Sequence, residues 1–524
     1  MPTASPFCYS QSAPLTTPTP RARMKLTYQR GNHYMKNKKT LLAILCGIGI
    51  ALVTLVLLIP FFYTLLLSLQ DYSPLRGLFG SRLVGFNHFV SFFSGPYFLK
   101  LLKNSILISL LGTVVGAAYA YLASVAIASS KNSFLKATLT MLFVIPAIIP
   151  VTLFRTLFPT QFLVSPSLLL TLFVSVLDGI RLAGLVTFAA FFLKGNAFKE
   201  GLRCMLLFIA IRLIGLLTNN TELIFGIYHP ATYEVLDVFS TYAHRTGIMS
   251  ADFSLSAAAH ITKTVLQFFP AVLACVILIL INKTDDKETS LSEIRFLPAA
   301  VFAVIPLALL ITILITGGSL LPAGETAMVM TGYLFEFLYA FLSALLVTVV
   351  AYLLALASRY SKIVGCIALT VLALTAGSLI GPYLMIRSFS LLNTVLGPVF
   401  LNMSMVPVLA LVLSFALHRE NNLKSNITAF IFGFIMTFSN FWGSCLNSTI
   451  AISEQRMQPL SLILKRVLSY FSIEHSAVMQ EGRIPFAPVP LSTVPYILIP
   501  LLVVGLGLLL CAIIYIIKTK KKAQ

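Results

Sequence analysis

Apolar residues gather in stretches long enough to cross about 30 Å of hydrocarbon, which takes about 20 helical residues. Twelve such stretches lie near 41–69, 104–129, 135–158, 167–193, 204–223, 258–281, 296–316, 331–357, 363–386, 394–417, 427–446 and 491–517. The pattern predicts an all-α polytopic membrane protein with about 12 transmembrane helices. The polar, mixed-charge segment 282–295 divides them into two sets of six and reads as a cytoplasmic linker. In each set the longest polar segment on the far side follows the fifth stretch, at 224–257 and at 447–490, so the halves repeat in parallel. Each of these segments carries a helical apolar stripe: Val235, Val238, Phe239 and Tyr242 in one, and Leu460, Ile463, Leu464, Val467, Leu468 and Phe471 in the other. That pattern fits either an amphipathic helix on the outer surface or a docking element.

Composition agrees with the pattern. Hydrophobic residues make up 58% of the 524 and charged residues 10%, whereas a soluble domain is nearer half apolar and a quarter charged. A formal charge of +20 would suggest nucleic acid in a soluble protein; here it is an orientation signal. Of the 37 basic residues, the larger share lies in the termini, in 282–295 and in the short polar segments on that same side. Both termini are therefore expected to be cytoplasmic in a multi-pass plasma-membrane protein, with the lipid bilayer and not nucleic acid as partner. The expected organisation is a disordered basic tail at 1–40, a first half at 41–281, the linker at 282–295, a second half at 296–517 and a basic tail at 518–524. Met1, Met24 and Met35 each suit a start, and the first stretch reads as a retained anchor.

Candidate chemistry is sparse. The chain has no GxxxxGK[ST], no HExxH and no GxSxG, and its seven cysteines and seven histidines are dispersed. No enzymatic activity, metal or cofactor is expected. Six ionisable residues fall in or at the ends of apolar stretches: Arg155, Asp178, Arg181, Arg212, Lys263 and Glu336. Each needs a partner, a watery cavity or a nearby interface. Asp178 and Arg181, three residues apart, are placed to pair on one helix face, and Arg155, Asp178, Arg181 and Arg212 are candidates for a translocation pathway. Lys263 and Glu336 lie near stretch ends, where snorkelling accounts for them.

Particular stretches carry a family resemblance. IPFFYTLLLSLQDYSP at 59–74, VGFNHFVSFFSGPYFLKLLKNSILISL at 84–110 and YHPATYEVLDVFSTYAHRTGIMSADFSLSAAAHITKTV at 228–265 resemble the first permease subunit of carbohydrate ABC importers of the maltose and oligosaccharide type. GPYLMIRSFSLLNTVLGPVFL at 381–401 and SNFWGSCLNSTIAISEQRMQPLSLILKRVLS at 439–469 resemble the partner permease. The resemblance implies both permeases fused in one chain, with a type I importer fold. It also implies an extracytoplasmic solute-binding protein that delivers sugar, and a separate ABC ATPase dimer that binds the ATP and drives alternating access. Tyr233, Asp237, Tyr242, Gln458 and Tyr470 would then belong to the outer gate or to the surface on which the binding protein docks.

The family's cytoplasmic EAA loop, which seats each permease in the ATPase, has no full counterpart. Its places hold KGNAFKEGLR at 194–203 and HRENNLKSNI at 418–427, and neither contains EAA. Lys199, Glu200, Gly201, Arg419 and Glu420 are what stands there. KGNAFKEGLR reads as a truncated turn, and coupling is expected through 129–136, 282–295 or 358–362 instead. Two alternatives remain: a degenerate permease-like scaffold with no ATPase, and a secondary transporter with six plus six spans.

Overall fold

The computed structural model describes residues 47–130, 132–157, 162, 165–192, 197–219, 221–227, 229–283, 302–316, 321–322, 326–359, 361–417, 423–466, 488–489 and 494–523. Each of the twelve apolar stretches contains helix. In chain order these are α1 (Gly47–Ser68), α2 (Tyr97–Ser129), α3 (Ser133–Ile148), α4 (Leu168–Thr187), α5 (Ala197–Ile214) and α6 (Phe253–Lys283). They continue with α7 (Val304–Thr316), α8 (Thr326–Ala357), α9 (Lys362–Thr375), α10 (Leu396–Leu417), α11 (Leu423–Phe441) and α12 (Val494–Ala523).

Among the described residues, seven of these are long and apolar enough to span a bilayer. An eighth is reached if α9 and the helix Ile380–Ser388, bent by 77°, count as one span. Helices α3, α7 and α11 are apolar but short, and α5 carries Lys199, Glu200, Arg203 and Arg212. The protein is thus a polytopic all-α membrane protein, with seven or eight full-length apolar helices among the described residues. Hydropathy does not register where a helix breaks, so among the described residues not every one of the twelve apolar runs holds a full-length helix. Helix α3 shows the cause: Pro146 lies inside it and Pro150 follows its end. A proline lacks the N–H the ladder needs and drives the residue before it out of helical geometry. Starts are equally local, with the side chains of Asn132, Ser167 and Ser361 accepting from Phe134 N, Leu170 N and Val364 N as N-caps.

The same packing recurs in the two sets. Helix α2 packs on α4 and α5, and α5 on α6; likewise α8 packs on α10 and α11, and α11 on α12. The sets then exchange their last helices, with α12 against α3 and α6 against α9. Helix α11 is tied to α12 by the fully buried Trp442, whose indole N–H donates to Tyr496 O at 2.8 Å.

Glycine sets the closest approach in the first set. A Cβ on Gly179 of α4 would lie 2.2 Å from Gly112 O of α2, a contact no side chain tolerates. Small residues let membrane helices close to backbone distance. Gly179→Ala is expected to cost about 1–3 kcal/mol, read as a lower thermal midpoint of the purified protein in detergent. An unchanged midpoint would mean that α2 and α4 do not close at this glycine.

Candidate functional site

Helices of both sets surround a cavity of about 350 Å³. Its wall combines Leu, Ile and Phe side chains with Thr218, Ser240, Asn402, Asn440 and Asn447, and with six ionisable groups: Asp178, Arg181, Arg212, Glu222, His260 and Lys263. A mostly apolar concavity with a few convergent polar groups is the usual form of a small-molecule site.

Three of the four pathway candidates line it. Asp178 does not pair with Arg181. The Nη2 of Arg212 on α5 lies 2.8 Å from Asp178 Oδ2, a charge contact without hydrogen-bond alignment, and donates to Ser109 O at 3.2 Å. Arg181 turns the other way, and its Nη1 donates to Pro146 O and Ile149 O at 2.9 and 2.6 Å. These carbonyls are left open where α3 breaks, and a cation there also meets the negative end of the helix. Spacing along one helix allowed the Asp178–Arg181 pair; the neighbouring helices offered each residue a better partner. For Arg155 only the backbone is described, in the 3-10 turn Val151–Leu157.

Lys263 and Glu336 do not snorkel, since both are 2% exposed. Lys263 Nζ donates to Gly377 O at 3.1 Å, at the bend that follows α9. Glu336 accepts from Gly443 N at 2.7 Å and Ser461 N at 2.9 Å. Gly443 sits at φ +82°, a left-handed conformation that glycine adopts at no steric cost. The turn it makes also serves Glu222, a residue sequence reasoning passed over. Glu222 accepts from Ser444 Oγ at 2.6 Å, Cys445 N at 3.0 Å and Leu446 N at 3.0 Å, so a carboxylate of the first set holds a turn of the second. A charge at 222, inside an expected span at 204–223, was the available signal.

The outer residues are mostly internal. Asp237 is 0% exposed and accepts from Thr241 Oγ1 and Arg245 Nη2, each at 2.8 Å. The Arg245 guanidinium lies over the rings of Tyr97, Tyr233 and Tyr242 at 5.7, 4.5 and 5.6 Å. Together these groups tie segment 233–245 to the start of α2. Tyr242 and Gln458 are buried and Tyr233 is half-buried, so Asp237, Tyr242 and Gln458 present no side chain to a docking partner. The stripe residues Val238 and Phe239 likewise face inward, with Phe239 against Phe92. In the second stripe Leu460, Ile463 and Leu464 are buried; Tyr470, Val467, Leu468 and Phe471 lie outside the described residues.

Beside this knot, His244 packs edge-on against Phe225 at 4.9 Å. Burial first, and the charge of Lys465 second, push its pKa down to about 4. The unfolded chain takes up this proton near pH 6.5 and the folded chain only near 4, so stability is lost as pH falls between those values. We expect this histidine to cost about 2 kcal/mol between pH 7 and pH 5. Thermal midpoints of wild type and His244→Gln at both values check it, and an equal drop in the two proteins would assign the loss to other groups.

On the opposite side, Ala197–Arg203 is not a turn but the first part of α5. Glu200 and Arg203 are buried and paired at 2.6 Å, and Gly201 packs on Tyr121 and Val125 of α2. Lys199, Phe198 and Leu202 are exposed. An i,i+3 pair that looked like loop charge thus serves to extend the helix. Arg419 and Glu420 lie outside the described residues.

No family model matches the chain. Over 51 residues, 10% of the chain, it is 37% identical to the polygalacturonan/rhamnogalacturonan transport system permease protein YteP of Bacillus subtilis (strain 168). The match spans 16% of that relative's length. A crystal structure of a bacterial alginate ABC transporter, in complex with an alginate pentasaccharide-bound periplasmic protein, aligns with 39% of this chain and 85% of its own. Identity there is 21% and the TM-score 0.33, a likeness that decides nothing about helix arrangement.

Proposed function

We propose that the chain is the transmembrane permease of a binding-protein-dependent ABC importer for sugars or oligosaccharides, with both permease halves, 41–281 and 296–517, in one polypeptide. The observation that carries this reading is the cavity, mostly apolar with a few convergent polar groups, that residues of both sets line. Solute crosses between the halves, and rocking of one set against the other exposes the cavity to each side in turn. The short match to a permease supports the transporter class.

The segments around 221–249 and 446–466 form the outer gate, and an extracytoplasmic binding protein docks on their exposed residues. Separate ATPase subunits supply the energy and bind the ATP. They engage 129–136, 282–295 or 358–362, because residues 197–203 are committed to α5 and leave little to project into a partner.

Uptake of a labelled oligosaccharide into proteoliposomes that hold the chain, with the binding protein and ATPase of the same organism, tests this reading. Import that needs all three components, and that survives replacement of Phe198 and Leu202 by Ser, is expected. No import in any combination would leave the degenerate scaffold. Import without the ATPase would leave the secondary transporter.

Orientation is tested separately. A cysteine at Leu75, 99% exposed, is expected to label from outside, and one at Lys199 from the cytoplasm. The reverse pattern would invert the topology.

A further inference from the structure

Lys263 presents an electrostatic imbalance. Burying an ammonium costs several kcal/mol unless a counter-charge and hydrogen bonds compensate it, and this one is 2% exposed. Among the described residues, no carboxylate lies in salt-bridge range of it. Its single hydrogen bond, to Gly377 O, uses one of three N–H donors. The end of α9 adds a favourable dipole worth about 0.3–1 kcal/mol, too little to balance the burial.

The cavity wall repeats the imbalance. It holds three cations, Arg181, Arg212 and Lys263, against two carboxylates, Asp178 and Glu222. Asp178 is matched by Arg212, and Glu222 is saturated by Ser444, Cys445 and Leu446. One positive charge is left over. Lys263 Nζ and Thr218 Oγ1 line the same stretch of cavity wall, both against Gly377: a Cβ on that glycine would stand 2.9 Å from the first and 3.5 Å from the second.

We propose that Lys263 and Thr218 form a carboxylate subsite of this cavity, and that the solute is an acidic oligosaccharide built of hexuronate units. The inference rests on the importer reading above. The carboxylate supplies the missing negative charge and accepts from Lys263, and from Thr218 once that hydroxyl turns from its 3.3 Å bond to Gln267 Oε1, while the Asn and Ser groups of the wall meet the hydroxyls.

Binding of digalacturonate and of its uncharged dimethyl ester to the purified full chain in nanodiscs, followed by saturation-transfer NMR, tests it. The acid is expected to bind at least tenfold more tightly than the ester. Lys263→Gln should remove that preference while the ester's affinity stays within twofold, and Lys263→Arg should retain it. Equal binding of acid and ester to the wild-type chain would overturn the carboxylate subsite and leave the sugar cavity standing. A preference that persists in Lys263→Gln would also overturn it. If neither probe binds saturably, the acidic-oligosaccharide subsite is overturned, while the importer reading is decided by the uptake assay above. The wild-type comparison needs no variant, so poor folding of Lys263→Gln leaves the proposal open to refutation.

Discussion

Arg212→Met is expected to destabilise the protein by about 3–5 kcal/mol, because it leaves Asp178 as an uncompensated charge in the membrane interior. Both side chains are nearly fully buried and their charged atoms lie 2.8 Å apart. Arg212 also donates to Ser109, so α2, α4 and α5 all loosen at once. Asp178→Leu alone should cost a similar amount by stranding Arg212. The double change Asp178→Leu with Arg212→Met should cost less than the sum, with a coupling of roughly 1–3 kcal/mol. The corresponding cycle with Arg181→Met should show a weaker coupling, since Arg181 serves the open carbonyls of α3. Denaturation midpoints in detergent measure both cycles. Additive losses for Asp178 and Arg212, or a stronger coupling of Asp178 to Arg181, would show that the partners have been assigned wrongly.

Glu222→Ala should cost about 2–4 kcal/mol, since charge-assisted hydrogen bonds are worth roughly 1.5–3 kcal/mol each and the stranded donors are only partly open to water. The variant leaves Ser444 Oγ, Cys445 N and Leu446 N without their acceptor. Because Glu222 follows α5 and the turn 443–446 follows α11, the loss falls on the contact between the two sets. Glu222→Gln keeps one acceptor oxygen and the shape, so it should lose about half as much. Hydrogen exchange at residues 443–451 locates the effect: faster exchange there in Glu222→Ala is the expected result. Unchanged exchange, with an unchanged midpoint, would mean that the carboxylate does not hold the turn.

How far each feature was legible depends on the range of the interaction behind it. The helices at 97–129, 253–283 and 326–357 follow from runs of apolar residues, a signal contained within each segment. The breaks at Ile148 and near Gly377 interrupt such runs, and hydropathy passes over them; Pro146 and Pro150 mark the first, whereas the second bends without a proline before Pro382. The site divides in the same way. That Asp178, Arg181 and Arg212 need partners was evident from their surroundings in sequence, because a charge among apolar residues is costly whatever the fold. Which partner each takes was not, since Arg212 meets Asp178 across 34 residues and Arg181 meets carbonyls of another helix. Glu222 escaped notice for that reason too: its donors lie more than 220 residues away.

The sequence alone therefore determined that this is a polytopic helical membrane protein, and that a few buried charges would matter. Those properties follow from hydrophobic transfer and the cost of desolvating charge, which act residue by residue. The tertiary structure decided which helices run full length, that each set packs its last helix on the other, and that Asp178 belongs to Arg212. It alone placed Glu222, Lys263 and Gly377 around one cavity. Hydrogen bonds and ion pairs reach only about 3 Å, and no spacing along the chain states which distant residues the packing will bring that close.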